Sequence, residues 1–236
     1  MLFENVEKIA NSVLYDGDPP RSDRGPAAKN RPCFNFGVLY PPEFSEGSEA
    51  SEMRTECLLA GNRLAAWHTK VRFLQWIGDV GRECEVDITC ALRSLARAPL
   101  RRSFQFEPCA EGEIDLSVSP LTDGLFRISL AIRNRSDFTG ASRDRALAAS
   151  LICVHSILRA EGGEFVSLLD PPEHIRRAAQ ACRNVGNWPV LAGDPNPRDA
   201  RYASILFASP VRLCDYPRTA PESSRDPFET GEVFTR

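Results

Sequence analysis

The chain has 236 residues, of which 42% are hydrophobic and 26% charged, so it can fold into one or two globular domains with a sizeable core. Its formal net charge of −3 gives no basic surplus, which argues against a nucleic-acid-binding surface. No apolar stretch approaches the roughly 20 residues that a membrane helix requires, so we expect no membrane insertion.

The cysteines and the N-terminus predict a cytoplasmic location. The eight cysteines contain no Cys-x-x-Cys pair and are irregularly spaced. Residues 1–8 lack a basic region followed by an apolar run, so they do not resemble a signal peptide. We therefore expect a reducing compartment in which the cysteines are mostly buried thiols.

The N-terminal part combines one helix with irregular segments. Apolar residues at helical spacing predict an amphipathic helix over residues 4–14. Residues 16–32 are rich in Pro, Gly and Asp and predict a loop, and Phe34–Tyr40 predicts a short strand that ends at two prolines. The acidic run from Glu43 to Glu56 indicates a solvated segment, because its glutamates lack the histidine or aspartate partners of a recognisable metal site.

The middle of the chain alternates apolar and polar residues, which is typical of β-strands. Strands are predicted at 55–60 and 66–77, on either side of Gly61-Asn62, and at 86–92. The clearest hairpin joins residues 113–118 to 126–132 through a turn that ends in Asp-Gly. Since one face of each strand is polar, the pattern favours an antiparallel sheet covered on one side.

After residue 142 the pattern becomes mixed. A helix is predicted over 143–151, with Ser142 as its cap. Residues 153–160 fit either a continuing helix or a strand. We favour a strand that pairs with 165–169 across Gly162-Gly163, because a Gly-Gly turn lies between two runs of similar length.

A further helix is predicted over 171–184. Asp170 is placed as its N-cap and Pro171 as its first residue. The apolar stripe consists of Ile175, Ala178, Ala179 and Cys182. Strands are expected at 188–192 and 203–213, and the proline-rich residues 215–236 are expected to be an extended or mobile tail.

These elements predict an α+β fold. We expect a single domain over residues 1–214, built on a largely antiparallel sheet with about three short helices. The pattern leaves open whether the sheet bends into a sandwich.

The search for catalytic chemistry finds one weak candidate, Cys153-x-His155. On a strand both side chains would point to the same face, roughly 6.5–7 Å apart along the chain. A structural role, a metal role and a nucleophilic role all stay open, and the structural role is the most frequent for such a spacing. Phosphate loops, dinucleotide fingerprints and the Gly-x-Ser-x-Gly motif do not occur, so no cofactor is predicted.

A surface for a protein partner is the alternative to a catalytic site. Arginines form one face of the predicted 171–184 helix and suit an acidic partner surface, although a solvated face is the simpler interpretation. Part of the tail is not explained by local structure. The predicted partner-binding residues are Arg176, Arg177, Arg183, Tyr216, Pro217, Pro221 and Glu222.

Several segments of the chain carry a family resemblance, which is scattered over most of the chain and concentrated after residue 142. These segments are Lys29–Arg31, Phe36–Pro41, Thr55–Leu58, Val71–Gln75, Ser142–Asp144, Gly162–Glu173, Ala181–Val190, Tyr216–Ser223 and Asp226–Glu229. They resemble a family of unassigned activity that is encoded in nickel–iron hydrogenase gene clusters of actinobacteria and related bacteria. This resemblance implies association with hydrogenase expression, assembly or maturation, and it implies no reaction.

Three functions follow as hypotheses. The first is a non-enzymatic accessory protein that acts in hydrogenase assembly or maturation through protein–protein contacts, with a hydrogenase subunit or maturation factor as its partner. The second is a metal- or thiol-handling protein that uses Cys153 and His155. The third is a small-molecule hydrolase or transferase that uses scattered acidic residues, for which no specific motif argues.

Overall fold

A computed structural model describes residues 2–14, 37–44, 49–78, 80–140 and 142–217 of the chain. The predicted loop 16–32 and residues 34–36 of the predicted strand 34–40 lie outside these residues, as do Pro221 and Glu222. Of the described residues 37–40, only Leu39 forms an isolated bridge, with Leu151. In chain order the elements are α1 (Leu2–Leu14), β1 (Glu52–Ile77), β2 (Val80–Ala91), α2 (Leu92–Leu95), β3 (Leu100–Phe106), β4 (Ala110–Thr122), β5 (Leu125–Asn134), α3 (Arg143–Ala148), β6 (Ile152–Val166), α4 (Arg176–Gln180), β7 (Trp188–Ala192), β8 (Tyr202–Ala203) and β9 (Ile205–Ser209). A 3₁₀ turn, Glu173–Ile175, immediately precedes α4.

The nine strands form one continuous antiparallel sheet. Its main order is β3-β4-β5-β1-β6-β9-β7, with β2 pairing to β1 and β8 pairing to β6. The pairing confirms a largely antiparallel α+β architecture and does not show two separate sheets. The described part of the chain contains four α-helices, and α2, which follows β2 directly, is the one that the sequence did not predict.

The long strand β1 organises the sheet. Its residues 52–60 pair with β5 and its residues 66–77 pair with β2, while β6 runs along its other edge. The strand changes direction near Gly61, where the register between β1 and β6 shifts. The two predicted strands at 55–60 and 66–77 are therefore the two halves of one bent strand.

Two glycines allow β1 and β6 to bend together. A Cβ atom on Gly61 would lie only 2.8 Å from the Cα of Gly163, and Gly162 adopts a left-handed φ of +73°. Both features require glycine, because side chains would clash or be strained there. The prediction of a hairpin between 153–160 and 165–169 is wrong, since both segments belong to β6 and Gly162-Gly163 forms a bend within it.

A single large core lies on one face of the sheet. It collects the inward-facing residues of both halves of β1, among them Cys57, Trp67 and Phe73, all nearly inaccessible. Residues of β2, β4, β5, β6 and β9 also belong to it, as do Leu92 and Leu95 of α2. The hairpin predicted at 113–132 is confirmed as β4 and β5, and its apolar residues Ile114, Leu116, Ile128 and Leu130 face this core.

Helices cover parts of the opposite face. Val6, Ile9 and Val13 of α1 pack on Phe207 of β9 and its neighbours, which confirms the amphipathic helix predicted at 4–14. Farther along the sheet, Ile175 and Ala179 pack on apolar residues of β1, β5 and β6.

A smaller apolar cluster on the same face lies at the end of β1. Leu74 of β1 and Ile152 of β6 pack there with Leu14 of α1 and Leu147 of α3.

The helix predicted over 171–184 is much shorter than expected. Pro172 has an extended backbone with ψ of 144°, so helical structure begins only at Glu173 and ends at Gln180. Asp170 does not cap it; the backbone N–H of Asp170 instead donates to the Ser167 hydroxyl at 2.9 Å. Residues 184–187 leave the helix direction because they form hydrogen bonds along β1, including a bridge between Val185 and Arg54.

Of three other predicted elements, two have different boundaries and one is confirmed. The helix predicted at 143–151 begins at Arg143 and ends at Ala148. The strand predicted at 188–192 is confirmed as β7. Of the strand predicted at 203–213, only Ile205–Ser209 pairs as β9, and residues 202–203 form the short strand β8.

Candidate functional site

Cys153 and His155 lie in the interior, at an irregularity of β6. The register between β1 and β6 shifts there, and Cys153 adopts a left-handed φ of 53°. His155 is fully buried and its ring contacts Phe207 edge-on, with centroids 5.7 Å apart. Its Nδ1 donates to the Cys153 carbonyl oxygen at 2.9 Å, because a carbonyl can only accept.

The environment of His155 keeps its imidazole neutral. Burial, helped by the nearby Arg72 and opposed by the hydrogen bond to the Cys153 carbonyl, lowers the pKa of His155 from 6.5 to about 4. Within the described ranges no three His, Cys, Asp or Glu side chains are grouped so that they could hold a metal ion. The metal- or thiol-handling role of Cys153 and His155 stays a prediction, which elemental analysis of the purified protein would test.

The predicted arginine face is solvent-exposed. Arg176 and Arg177 lie on α4 with their side chains outward, and Arg176 forms an ion pair with Glu173 at 2.7 Å. Arg183 is also exposed, and its backbone N–H donates to Glu56 Oε2 at 2.8 Å. The three arginines therefore lie at the margin of the outer face of β1.

The residues predicted at the start of the tail lie elsewhere and are tied to the sheet. The Tyr216 hydroxyl donates to the Ala200 carbonyl at 2.7 Å, and the Tyr216 N–H donates to the Leu191 carbonyl at 2.7 Å. Asp215 accepts hydrogen bonds from the Leu191 N–H and the Ser167 hydroxyl. Burial, with a smaller contribution from Asp215, raises the pKa of Tyr216 to about 12. A partner-binding role for Tyr216 and Pro217 stays a prediction.

The structure adds a polar groove that sequence reasoning missed. It lies on the outer face of the sheet across β3, β4, β5 and β1, and has a volume of about 620 Å³. Small side chains form its floor, namely Ser117, Ser129 and Ala131. Its remaining lining is mainly charged and comprises Arg54, Glu56, Pro99, Arg101, Asp115, Ser119, Arg127 and Arg133.

Two of the groove arginines are neutralised within the protein. Arg101 donates to Asp115 at 2.8 Å, and Arg133 forms ion pairs with Asp115 and with Glu52, the latter at 2.9 Å. Desolvation raises the pKa of Asp115, but the hydrogen bonds from Arg101 and Arg133 outweigh it and leave that pKa below its ordinary value. Asp115 is therefore ionised and held by both guanidinium groups.

The other two groove arginines, Arg54 and Arg127, form no salt bridge with any residue that the structure describes. The Nε of Arg127 is buried and has no hydrogen-bond partner among the residues that the structure describes. Its guanidinium lies beside the thiol of Cys182, whose pKa burial raises to about 11 despite this neighbour. The thiol is protonated at neutral pH and does not neutralise Arg127.

The sequence contained one signal for this groove. On the polar face of the predicted hairpin, serines and alanine replace the long polar residues that usually cover an exposed strand. The sequence does not reveal the register between β1 and β5, which places Arg54 opposite Ala131 and Glu56 opposite Ser129. Those partners are more than 70 positions apart, so local patterns do not reveal them.

Comparison with known proteins adds no family to these observations. No protein-family model matches the chain, and no curated protein matches it significantly. In the residues that the structure places, no helix has both the length and the apolar character needed to cross a membrane. The fold and the groove define the class of protein. It is an α+β protein with an open antiparallel sheet and a charged groove on the outer face of that sheet.

Proposed function

We propose that the protein is a non-enzymatic accessory protein that binds a protein partner during nickel–iron hydrogenase assembly or maturation. The hydrogenase context rests on the resemblance carried by segments such as Gly162–Glu173 and Ala181–Val190. The binding role rests on the charged outer face, where the groove and the exposed arginines meet. The observation that carries the proposal is the contact between Arg183 and Glu56, which joins the two features into one surface.

The size and polarity of this surface suit a protein contact better than a reaction. Arg176, Arg177 and Arg183 are exposed cations, and the groove beside them is open and polar. Charged surfaces of this type speed association and select partners by electrostatic complementarity. Asp115, one of the two groove acids, has its carboxylate engaged by two arginines, which leaves it poorly suited to proton transfer.

Affinity purification from a native host tests this proposal. The tagged chain is expected to recover a hydrogenase subunit or maturation factor. A variant with Arg176→Glu, Arg177→Glu and Arg183→Glu should recover about tenfold less, because the charge that attracts an acidic surface is reversed. Arg93→Glu, Arg97→Glu and Arg198→Glu form the matched control, since these arginines are exposed elsewhere.

Two results would contradict the proposal. If the wild-type chain recovers no hydrogenase component under conditions in which that hydrogenase is expressed, the context is wrong. If both triple variants reduce recovery equally, the contact depends on overall charge and the surface around Arg183 is not the binding site.

A further inference from the structure

We infer that the groove binds an extended, carboxylate-rich segment of a protein partner, and that Arg54 and Arg127 are the cations that anchor it. The choice of a protein segment over a free anion rests on the proposed function.

Strand register creates the groove. Ala131 lies between Arg54 of β1 and Asp115 of β4, and in the next outward-facing row Ser129 lies between Glu56 and Ser117. Since neighbouring strands are about 4.8 Å apart, these small side chains leave a depression between rows of longer ones. The depression follows the strands, so it suits an extended ligand.

The two anchoring arginines flank this floor. Arg127 is four residues before Ala131 on β5, which places it about 13 Å along the strand from the row that holds Arg54. Guanidinium groups at the ends of long, flexible side chains can both reach a ligand in the intervening space. Ser117 and Ser129, which are Cα partners, supply hydroxyl donors between them.

The unpaired positive charge of the groove is confined to Arg54 and Arg127. The lining contains four arginines and two acids, and Glu52 and Glu113 outside the lining also pair with Arg133 and Arg101. Both acids have donors already: Asp115 accepts from Arg101 and Arg133, and Glu56 accepts from the Arg183 N–H. The positive charge of Arg54 and Arg127 is not cancelled in this way.

Arg127 is the better supported of the two anchors. Among the residues that the structure describes, its buried Nε–H has no acceptor, although buried donors are almost always paired. A carboxylate is the acceptor that a guanidinium fork matches best, because it takes two parallel N–H bonds. Since solvent does not reach the Nε–H, a bound carboxylate would accept from the terminal N–H groups of Arg127.

The length of the groove indicates the size of the segment. Arg127 and Arg133, both of which line it, are six residues apart on β5, or about 20 Å. An extended peptide of about six residues covers this distance. A single small anion could contact only one part of it, so a segment with several carboxylates should bind more tightly than a free anion.

Fluorescence anisotropy with a labelled hexaglutamate peptide tests the inference on the isolated full chain. At about 50 mM salt, where screening is modest, the wild type should bind this peptide and should not bind hexaglutamine. Arg54→Ala and Arg127→Met should each weaken binding about tenfold or more, because each removes one charge-assisted contact. Arg198→Ala, at an exposed loop position, should leave the affinity unchanged.

Several outcomes would overturn the inference. Equal loss in Arg54→Ala and Arg198→Ala would show nonspecific attraction. Competition by inorganic phosphate or citrate at the peptide's own concentration would identify a small-anion site. If Arg127→Met fails to fold, as circular dichroism would show, Arg54→Ala alone decides, because Arg54 is only partly buried and its loss should not unfold the chain.

The result can be separated from that of the affinity purification. Peptide binding that depends on Arg54, combined with no recovered hydrogenase component, supports the groove and contradicts the hydrogenase context. Recovery of a hydrogenase component that is unaffected by Arg54→Ala, combined with no peptide binding, supports the context and contradicts the groove.

Discussion

The two halves of β1 differ in whether their outward-facing basic side chains are paired with acids. In the half that pairs with β2, three basic side chains each contact an acid on the neighbouring strand. His68 contacts Asp87 at 2.9 Å, Lys70 contacts Glu85 at 3.1 Å, and Arg72 contacts Glu83 at 3.1 Å. In the half that pairs with β5, Arg54 lies opposite Ala131 and has no described acid within salt-bridge distance.

This difference separates structural charges from charges available to a ligand. The first face is completed internally, since α1 packs beside the ion pairs and Glu7 of that helix approaches Lys70 at 3.9 Å. The second face is completed only in part by α4, and there the buried Nε–H of Arg127 has no acceptor among the described residues. We therefore assign stability to the face beside α1 and binding to the groove.

The strongest test of this division removes a large side chain beneath α1. Phe207 is fully buried between α1 and the His155 ring. Phe207→Ala should lower the free energy of unfolding by about 3–5 kcal/mol, through lost apolar burial and a cavity. Ser117→Ala, in the groove, should change it by less than about 0.5 kcal/mol. Urea denaturation of both variants measures this contrast, and comparable losses would contradict it.

The second test uses pH. The pKa of His155 is about 4 when folded and 6.5 ordinarily, so the unfolded chain binds a proton at this site before the folded chain does. Stability from the neutral imidazole is fully present above pH 6.5 and is lost as pH falls from 6.5 towards 4. The loss should reach about 3 kcal/mol at pH 4.

A matched variant isolates this contribution from other titrating groups. His155→Phe keeps an aromatic ring against Phe207 but cannot titrate. The unfolding free energy of the wild type minus that of His155→Phe should fall by about 3 kcal/mol from pH 7 to pH 4. A difference that stays constant from pH 7 to pH 4 would show that His155 is accessible to protons in the folded state.

The third test compares two arginines of the same strand. Arg72 is nearly buried and paired with Glu83, so Arg72→Ala should cost about 1–3 kcal/mol of unfolding free energy. Arg54 has no such pair, so Arg54→Ala should cost less than about 0.5 kcal/mol. Thermal and urea unfolding of the two variants give the comparison. Equal costs would mean that Arg54 also has a structural role.

The sequence predicted the elements whose signals are local. The helix over 4–14, the hairpin of β4 and β5, and the strand β7 were each visible in a short periodic pattern. The bend of β1 and β6 was not predicted. A Gly-Gly pair considered by itself indicates a hairpin turn, so Gly162-Gly163 was interpreted as one. Only the pairing of Gly61 with Gly163 across the sheet shows that the glycines permit a close approach of two long strands.

The candidate site was less predictable than the fold. The exposed arginines of α4 followed from helical spacing, and the structure confirms their exposure. The helix itself was overestimated, because hydrogen bonds from residues 184–187 to β1 prevail over local helix propensity. The groove depends on register between distant strands, and the absence of an acid opposite Arg54 is visible only once that register is known.

Amide chemical-shift mapping with the hexaglutamate peptide tests the central claim most directly, because it reports on both faces of β1 in one experiment. We expect the shifts to concentrate in the segments 54–56, 115–119 and 127–133, which contain most of the residues that line the groove. Residues 68–72 and 83–87, whose charges are already paired, should not respond. Shifts that concentrate on the paired face, or that spread evenly over both faces, would contradict the account.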